Sequence, residues 1–455
     1  MNHAIRIARQ LWTRVGVPAL LGLGLGRFAV TAYTGLTTTV GDFYQTLPGA
    51  YVRTVNPVLW NSPDLTGSAA YQREIYLYGP SQYLTLYPLA YLPSYRQIAM
   101  WLLVLYAMAI VATIVVLWKT MAAGEAGRPP GVAPAACAAL LFTPLLQCYV
   151  QREFETIAFL IWSIGAYCLV RRRDVLGGTA FGYVAWFKLL PLGFLPYLVL
   201  RRWFKATLAF ICVSVAVLAL TQALFGLDKF LMFSSRLIGQ ESAAEHIVGA
   251  QIRPLFGERA GFYLDRSKSP GYIGTGFCDD WNETNDTIVS VRWGLCGLNM
   301  RHAWLPSREL FYLFVAVVGG CFVTAFVAHE RRTPAPLEAK WRTIWELSLV
   351  LMVTIVVVRA HYYYLISLLF PIVALVYRYL QYGSGRIRIA LLVSCYVILS
   401  AFVVPVSILS RLLDRNVWHD YMQHDVYLYG ELMLFSLLLW EYWPRPVVAA
   451  PRSLP

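Results

Sequence analysis

Charge is what this chain has least of. Only 14% of its 455 residues are Asp, Glu, Lys or Arg, and its mean hydropathy of +0.54 lies outside the range of soluble globular domains. Acids are scarcer than bases, 25 against 38, for a net charge of +13. The bases sit in short loops between apolar runs rather than on one face, which excludes nucleic acid as the partner. Cysteine is sparse, and six of the eight lie in or beside apolar runs (Cys137, Cys148, Cys168, Cys212, Cys321 and Cys395), which excludes a disulfide-dense scaffold. No strong internal repeat is visible, unlike the paired repeats of many transporters. The first apolar run lacks a small-residue cleavage site and is followed by further spans, so it reads as a retained helix and not a signal peptide.

Long apolar runs are what the chain has in place of charge. A spanning helix needs roughly 20 apolar residues, and runs of that kind recur at Val15–Gly35, Ile98–Leu117, Phe154–Val170, Ala206–Phe225, Leu310–Ala328, Ile344–Val358, Leu365–Val376, Ile389–Ile408 and Leu432–Trp443. The expectation is an all-α, polytopic transmembrane bundle of about ten spans. It forms one membrane domain over 1–455, with external loops at 36–96 and 226–308, the first carrying interfacial helices.

Arg6, Arg9 and Arg14 before the first run place the N-terminus in the cytoplasm. By alternation, Lys119–Arg128, Arg171 to Arg173, His329–Arg342, Arg378–Arg388 and the C-terminal tail are cytoplasmic. Gln147–Arg152, Arg359–Tyr364 and Arg411–Tyr429 are then external. The segment Val175–Leu200 is flanked by Arg clusters on both sides, so a single crossing would strand one cluster outside. A re-entrant or two-helix hairpin removes the conflict, with Lys188 and Pro191 near its turn. Gly124–Pro134 and Thr333–Pro336 read as cytoplasmic linkers.

Candidate chemistry collects on the external side. Asp42, just beyond the first helix, stands where lipid headgroups meet water and is suited to take a proton from an acceptor hydroxyl. Glu153 and Glu155 are two residues apart and do not share a helical face, so one is expected in a cavity and the other toward water or Arg152. Glu155, the deeper, holds ligand hydroxyls, holds a divalent metal together with Asp42, or pairs with Arg152 or Lys188. Arg359, His361 and Tyr362 lie in an Arg-Ala-His-Tyr-Tyr-Tyr run suited to a phosphate, or to an ordinary interfacial belt. Lys188 and Arg27 are intramembrane cations, which face a cavity or a partner. Tyr44 and Tyr78 offer rings for a polar ligand or an interface, and Leu84–Pro93 reads as a bent element descending into the second helix. Cys278 and Cys296 share the long external loop and are expected to form a disulfide. The acids lack tight ligand spacing, so no metal is expected.

Together these landmarks resemble glycosyltransferase family 87 of the C-type superfamily, the polyprenyl-phosphate-mannose-dependent α-mannosyltransferases and their arabinofuranosyltransferase relatives. The matching pieces are Gly41-Asp42-Phe43-Tyr44, Tyr78-Gly79-Pro80 with Tyr87-Pro88-Leu89-Ala90 and Leu92-Pro93, and Gln151-Arg152-Glu153-Phe154-Glu155. They continue with Arg171–Asp174, Leu176-Gly177-Gly178, Phe187-Lys188-Leu189-Leu190-Pro191, Arg201-Arg202-Trp203 and His361-Tyr362-Tyr363. The resemblance covers most of Met1–Ala206 and the region around Arg359, not Gly226–Arg308. It implies the C-type fold and an inverting transfer with Asp42 as general base. Donor phosphate would be held by His361, Arg359, Lys188 and Tyr362, and sugar or acceptor by Glu155, Arg152, Tyr44 and Tyr78.

Arg359-Ala360 stands where those mannosyltransferases usually have a Ser/Trp-rich segment, which leaves the donor sugar open between mannose and a pentose. A polyprenyl-linked glycan ligase or polymerase and a lipid or sugar transporter are the competing classes. The expected partners are a polyprenyl-phosphate lipid donor, a lipid or glycan acceptor and membrane lipids, with no cofactor and a monomeric chain. The preference for Arg over Lys points to a bacterial inner membrane with the site on the extracytoplasmic side.

Overall fold

The computed structural model describes residues 15–37, 80–92, 95–125, 129–151, 153–188, 193–225, 288–289, 307–330, 336–357, 360–400, 412–414, 417, 421 and 426–443. Apolar surroundings require each segment to satisfy its own backbone polar groups, and helices are what results. In chain order they are α1 (Val17–Thr37), α2 (Pro80–Leu86), a 3-10 turn (Tyr87–Tyr91), α3 (Tyr95–Ala122), α4 (Ala133–Leu140), α5 (Thr143–Gln151), α6 (Glu155–Val170), α7 (Asp174–Lys188), α8 (Phe194–Leu200) and α9 (Phe204–Phe225). After β1 (Ile288–Val289) come α10 (Ser307–Glu330), α11 (Pro336–Val357), β2 (Ala360–His361), a 3-10 helix (Tyr362–Leu368), α12 (Leu369–Tyr382), α13 (Arg386–Ser400) and α14 (Val426–Tyr442).

Among the described residues, five helices are long and apolar enough to cross a membrane, and α4 with α5, bent by 63°, makes a sixth if the pair is one span. This is a multi-pass membrane protein. The sequence expectation of about ten spans is larger because α6, α13 and α14 have only 16, 15 and 17 residues, and α11 carries Glu338, Lys340, Arg342 and Glu346 in its first half. The α4–α5 pair is absent from the sequence expectation. The first of its two short pieces begins inside the Pro/Gly-rich stretch read there as linker, so Pro134 belongs to a helix.

The loops expected in the cytoplasm converge on one end of the bundle. Fully buried Glu346 accepts from Arg342 Nε at 2.9 Å, Tyr197 Oη at 3.0 Å and Tyr442 Oη at 2.9 Å, and forms an ion pair with Arg201 Nε at 3.0 Å. Glu441 takes Arg378 Nε at 3.1 Å and Arg388 Nη1 at 3.0 Å. Lys340 donates to Glu125 and to the Met121 carbonyl, and His329 Nε2 donates to the Tyr442 carbonyl. These contacts tie α3, α8, α10, α11, α12, α13 and α14 into one ionic belt.

The hairpin is resolved by the same belt. Arg172, after α6, and Arg201, after α8, both lie over the Trp203 ring, at 6.0 and 5.6 Å. The two Arg clusters that flank 174–200 therefore meet at one end, so α7 leaves the belt and α8 returns to it. Both turns use one device. Arg172 and Arg202 adopt left-handed φ of 58° and 55°. In each, the next residue's N–H closes on a carbonyl five residues back: Arg173 to Cys168 at 2.8 Å, Trp203 to Leu198 at 3.0 Å. These are Schellman caps with Arg where Gly is usual, keeping positive charge at the belt end of the bundle.

Small residues let α7 lie directly on α9. A Cβ on Gly178 would stand 2.0 Å from the Ala206 carbonyl oxygen, and one on Gly182 would stand 2.5 Å from that of Phe210, the close approach that small residues four apart permit between membrane helices. Gly178→Ala is expected to destabilise the protein by about 3 kcal/mol, because backbone must move. Gly319→Ala on α10, whose added Cβ meets nothing within 4 Å, should be neutral. Unfolding by SDS in mixed micelles measures both, and equal stability of the two variants would refute the packing account.

Candidate functional site

At the end of the bundle away from the belt, α2, α6, α7, α8, α11 and the 3-10 helix after β2 enclose a cavity of about 60 Å³. α6 brings Glu155 to it and Trp162 two turns deeper, α7 brings Phe187, α11 brings Thr354, and the 3-10 helix brings Tyr364 and Ser367. α2 contributes Gln82, and hydroxyls fix its place. Ser81 Oγ donates to the Tyr183 carbonyl at 2.6 Å, Thr85 Oγ1 and Tyr183 Oη lie 2.9 Å apart, and Tyr183 Oη donates back to the Ser81 carbonyl at 3.2 Å. Outside the cavity, Tyr91 is exposed and donates to Tyr87 Oη at 2.9 Å, a hydrogen bond that raises its pKa.

The candidate residues from the sequence fall as follows. Glu155 is buried and lines the cavity. Glu153 is buried as well, 4% exposed against 6% for Glu155, so it does not face water; Arg152, the other partner expected for it, lies outside the described residues. The turn before α6 packs both inward, with the Glu153 N–H held by the Cys148 carbonyl at 2.8 Å. Lys188 is the last residue of α7, one past cavity-lining Phe187. His361 is in β2, directly before the 3-10 helix that supplies Tyr364 and Ser367. Tyr362 is buried with its hydroxyl donating to the Leu399 carbonyl at 3.4 Å, so its neighbour Tyr364 is the tyrosine that reaches the cavity. Asp42, Tyr44, Tyr78, Arg152, Arg359, Cys278 and Cys296 lie outside the described residues.

β1 comes from the long loop 226–308 and pairs antiparallel with β2, Ile288 opposite His361 and Val289 opposite Ala360. The loop therefore docks on the strand that leads into the cavity. This short pairing departs from an all-helical fold, and the length of the loop gave no sign of it.

Arg27 faces a partner, the second of the two alternatives its position offered. Its Nη1 donates to the Leu141 carbonyl and its Nη2 to Thr143 Oγ1, both at 2.7 Å. Leu141 sits at the break between α4 and α5, where a helix end leaves carbonyls without partners. The guanidinium of α1 thus caps a broken helix from outside it. Arg27→Met should cost about 2 kcal/mol, since a charged donor is lost and a carbonyl orphaned. With Thr143→Val the double variant should show coupling of at least about 0.5 kcal/mol in micelle unfolding. Strict additivity would show that the contact contributes nothing.

Sequence reasoning missed Gln82, Trp162, Thr354 and Ser367. Gln82 had a signal, a polar side chain two residues after Pro80 at the head of the bent element. The others stand singly in apolar runs, and only packing selects them.

Residues 76–267 match the family model of glycosyltransferase family 87. The matched stretch contains Gln82, Glu155, Trp162 and Lys188, and runs from α2 through α9. It ends inside the long loop, further along than the motif resemblance reached, and stops short of Asp42 on one side and His361 on the other. It covers less than half the chain. No curated protein and no solved structure matches the sequence.

Proposed function

We propose that this protein is a membrane glycosyltransferase that moves a sugar, mannose in the first instance, from a polyprenyl-phosphate donor to a lipid or glycan acceptor on the outer face of a bacterial inner membrane. The observation that carries the proposal is the division of the bundle into two ends. Ion-paired bases fill one, and the other holds a cavity lined by Glu155, by Phe187 of α7 and by the 3-10 helix that follows His361. Lys188 follows Phe187 in the chain and His361 precedes the 3-10 helix, residue types that suit a departing lipid phosphate, and the family match over 76–267 supports sugar as the group transferred.

In this mechanism Asp42 takes the proton of the acceptor hydroxyl while that oxygen attacks the anomeric carbon. The carbon–phosphate oxygen bond breaks on the opposite side, inverting the centre. The phosphate leaves with both electrons, and His361, Arg359 and Lys188 hold its charge.

Protein in nanodiscs should transfer label from a short-chain polyprenyl-phosphate mannose to an acceptor lipid extract. Recovery of the donor intact, or its movement between leaflets without transfer, would reject the enzyme. A single cysteine introduced at His361 should react with an impermeant maleimide from the outside, and one at Arg386 from the cytoplasm. Reversal of that pattern would place the site on the wrong face.

A further inference from the structure

Gln82 is fully buried, it lines the cavity, and neither its Nε2 nor its Oε1 has a hydrogen-bond partner. Trp162, on the cavity floor, is 3% exposed with Nε1 likewise unpartnered. Neither side chain is placed by accident. The hydroxyls of Ser81 and Thr85, on either side of Gln82, are engaged with Tyr183. Trp162 is wedged by ring contacts to Phe181, Phe194 and Phe370 at 5.7, 5.7 and 4.8 Å. Two donors and an acceptor are therefore held rigidly against an otherwise mostly aromatic and aliphatic hollow.

A buried polar group left unmatched is destabilising, more so than its hydrogen bond is stabilising when made. An apolar occupant would leave the amide and the indole unmatched, and an anion would meet the amide oxygen and Glu155. The occupant that satisfies the set has a hydroxyl, which both donates and accepts, on a carbon that suits the apolar wall. A hydroxymethyl arm meets both demands, since it carries its hydroxyl on a methylene that an aromatic and aliphatic wall accommodates, whereas a ring hydroxyl stands on a carbon flanked by other polar substituents.

We propose that this cavity receives the exocyclic hydroxymethyl arm of the donor sugar, with Gln82 and Trp162 as its specificity residues, so that the protein selects sugars bearing that arm over 6-deoxy sugars. The inference rests on the glycosyltransferase reading above and deepens it. The methylene would lie against Phe154 and Phe187, and the hydroxyl would donate to Gln82 Oε1 while accepting from Gln82 Nε2 or Trp162 Nε1.

The test is binding, which does not depend on turnover. Full-length protein in nanodiscs is titrated with three short-chain lipids: polyprenyl-phosphate mannose, the matching 6-deoxymannose lipid and bare polyprenyl phosphate. Wild type should bind the mannose lipid about 10- to 100-fold more tightly than the 6-deoxy lipid. Gln82→Leu should bring the two to one affinity and leave that of bare polyprenyl phosphate unchanged. If Gln82→Leu does not fold, Gln82→Asn, which keeps the amide but withdraws it by one methylene, should lose affinity for the mannose lipid alone. Equal binding of both sugar lipids by wild type would overturn the inference and leave a cavity that holds water. Equal weakening of all three lipids by the substitution would overturn it too, as a purely structural effect. Preference for the hydroxymethyl lipid without any transfer would refute the enzyme while sustaining the pocket. Transfer without the preference would do the reverse.

Discussion

Asp42→Asn should lower the rate of transfer by about 10²- to 10⁴-fold, the usual contribution of a positioned general base, while donor affinity stays within a factor of about two. Asn keeps the shape and hydrogen-bonding reach of Asp but cannot accept a proton, so the loss belongs in kcat and not in binding. Val17, at the start of α1, accepts from Cys137 Sγ on α4 at 3.6 Å, and α4 begins beside Pro130, whose carbonyl takes Trp118 Nε1 at 2.8 Å near the belt end of α3. α1 therefore starts at the belt and ends at Thr37 on the cavity side. A pre-steady-state assay with labelled donor separates the two constants. An Asp42→Asn protein with wild-type kcat would remove the base from the mechanism and leave the acid-rich turn at Glu153 and Glu155 as its successor.

Glu346→Ala should be the most destabilising single change in the ionic belt, costing about 3–5 kcal/mol, because removing one partner of a buried ionic group leaves the rest uncompensated. Two guanidiniums, Arg201 and Arg342, and two phenols, Tyr197 and Tyr442, converge on that carboxylate. α8, α11 and α14 would all lose their shared anchor. Glu346→Gln should lose less, since the amide oxygen still accepts, and Arg388→Ala, whose side chain is 23% exposed, should lose well under half as much. SDS unfolding in mixed micelles ranks the three. A Glu346→Ala protein as stable as wild type would mean that the belt is not a unit.

Both predictions separate what patterning could deliver from what it could not. The Arg clusters around 174–200 required a hairpin, because alternation failed without one, and Trp203 beneath Arg172 and Arg201 bears this out. Arg171 and Arg202 were legible because basic residues bias topology wherever they lie in a short loop, independent of partner. Glu346, Glu441 and Glu125 were not legible. Each reads as an ordinary interfacial acid until the helices are assembled, since its meaning lies in cations up to 215 residues away. Arg27 was legible as a cation that needs a cavity or a partner, but not which, because a broken helix between Leu140 and Thr143 has no signature beyond a Pro/Gly-rich approach. Gln82 and Trp162 were silent for the same reason. Burial and the absence of a bonding partner are properties of a packed site, not of a residue type.

The sequence by itself determined the solvent, the identity of most helices and the sign of charge on each side, because hydropathy and basic-loop bias act through single segments in a bilayer. Tertiary structure decided which acids anchor the belt end, which carbonyls Arg27 serves, that the long loop reaches His361, and which polar groups face a cavity. Those are pairings across long separations, and in an apolar medium a lone polar group reveals its purpose only when its partner, or its lack of one, is in place.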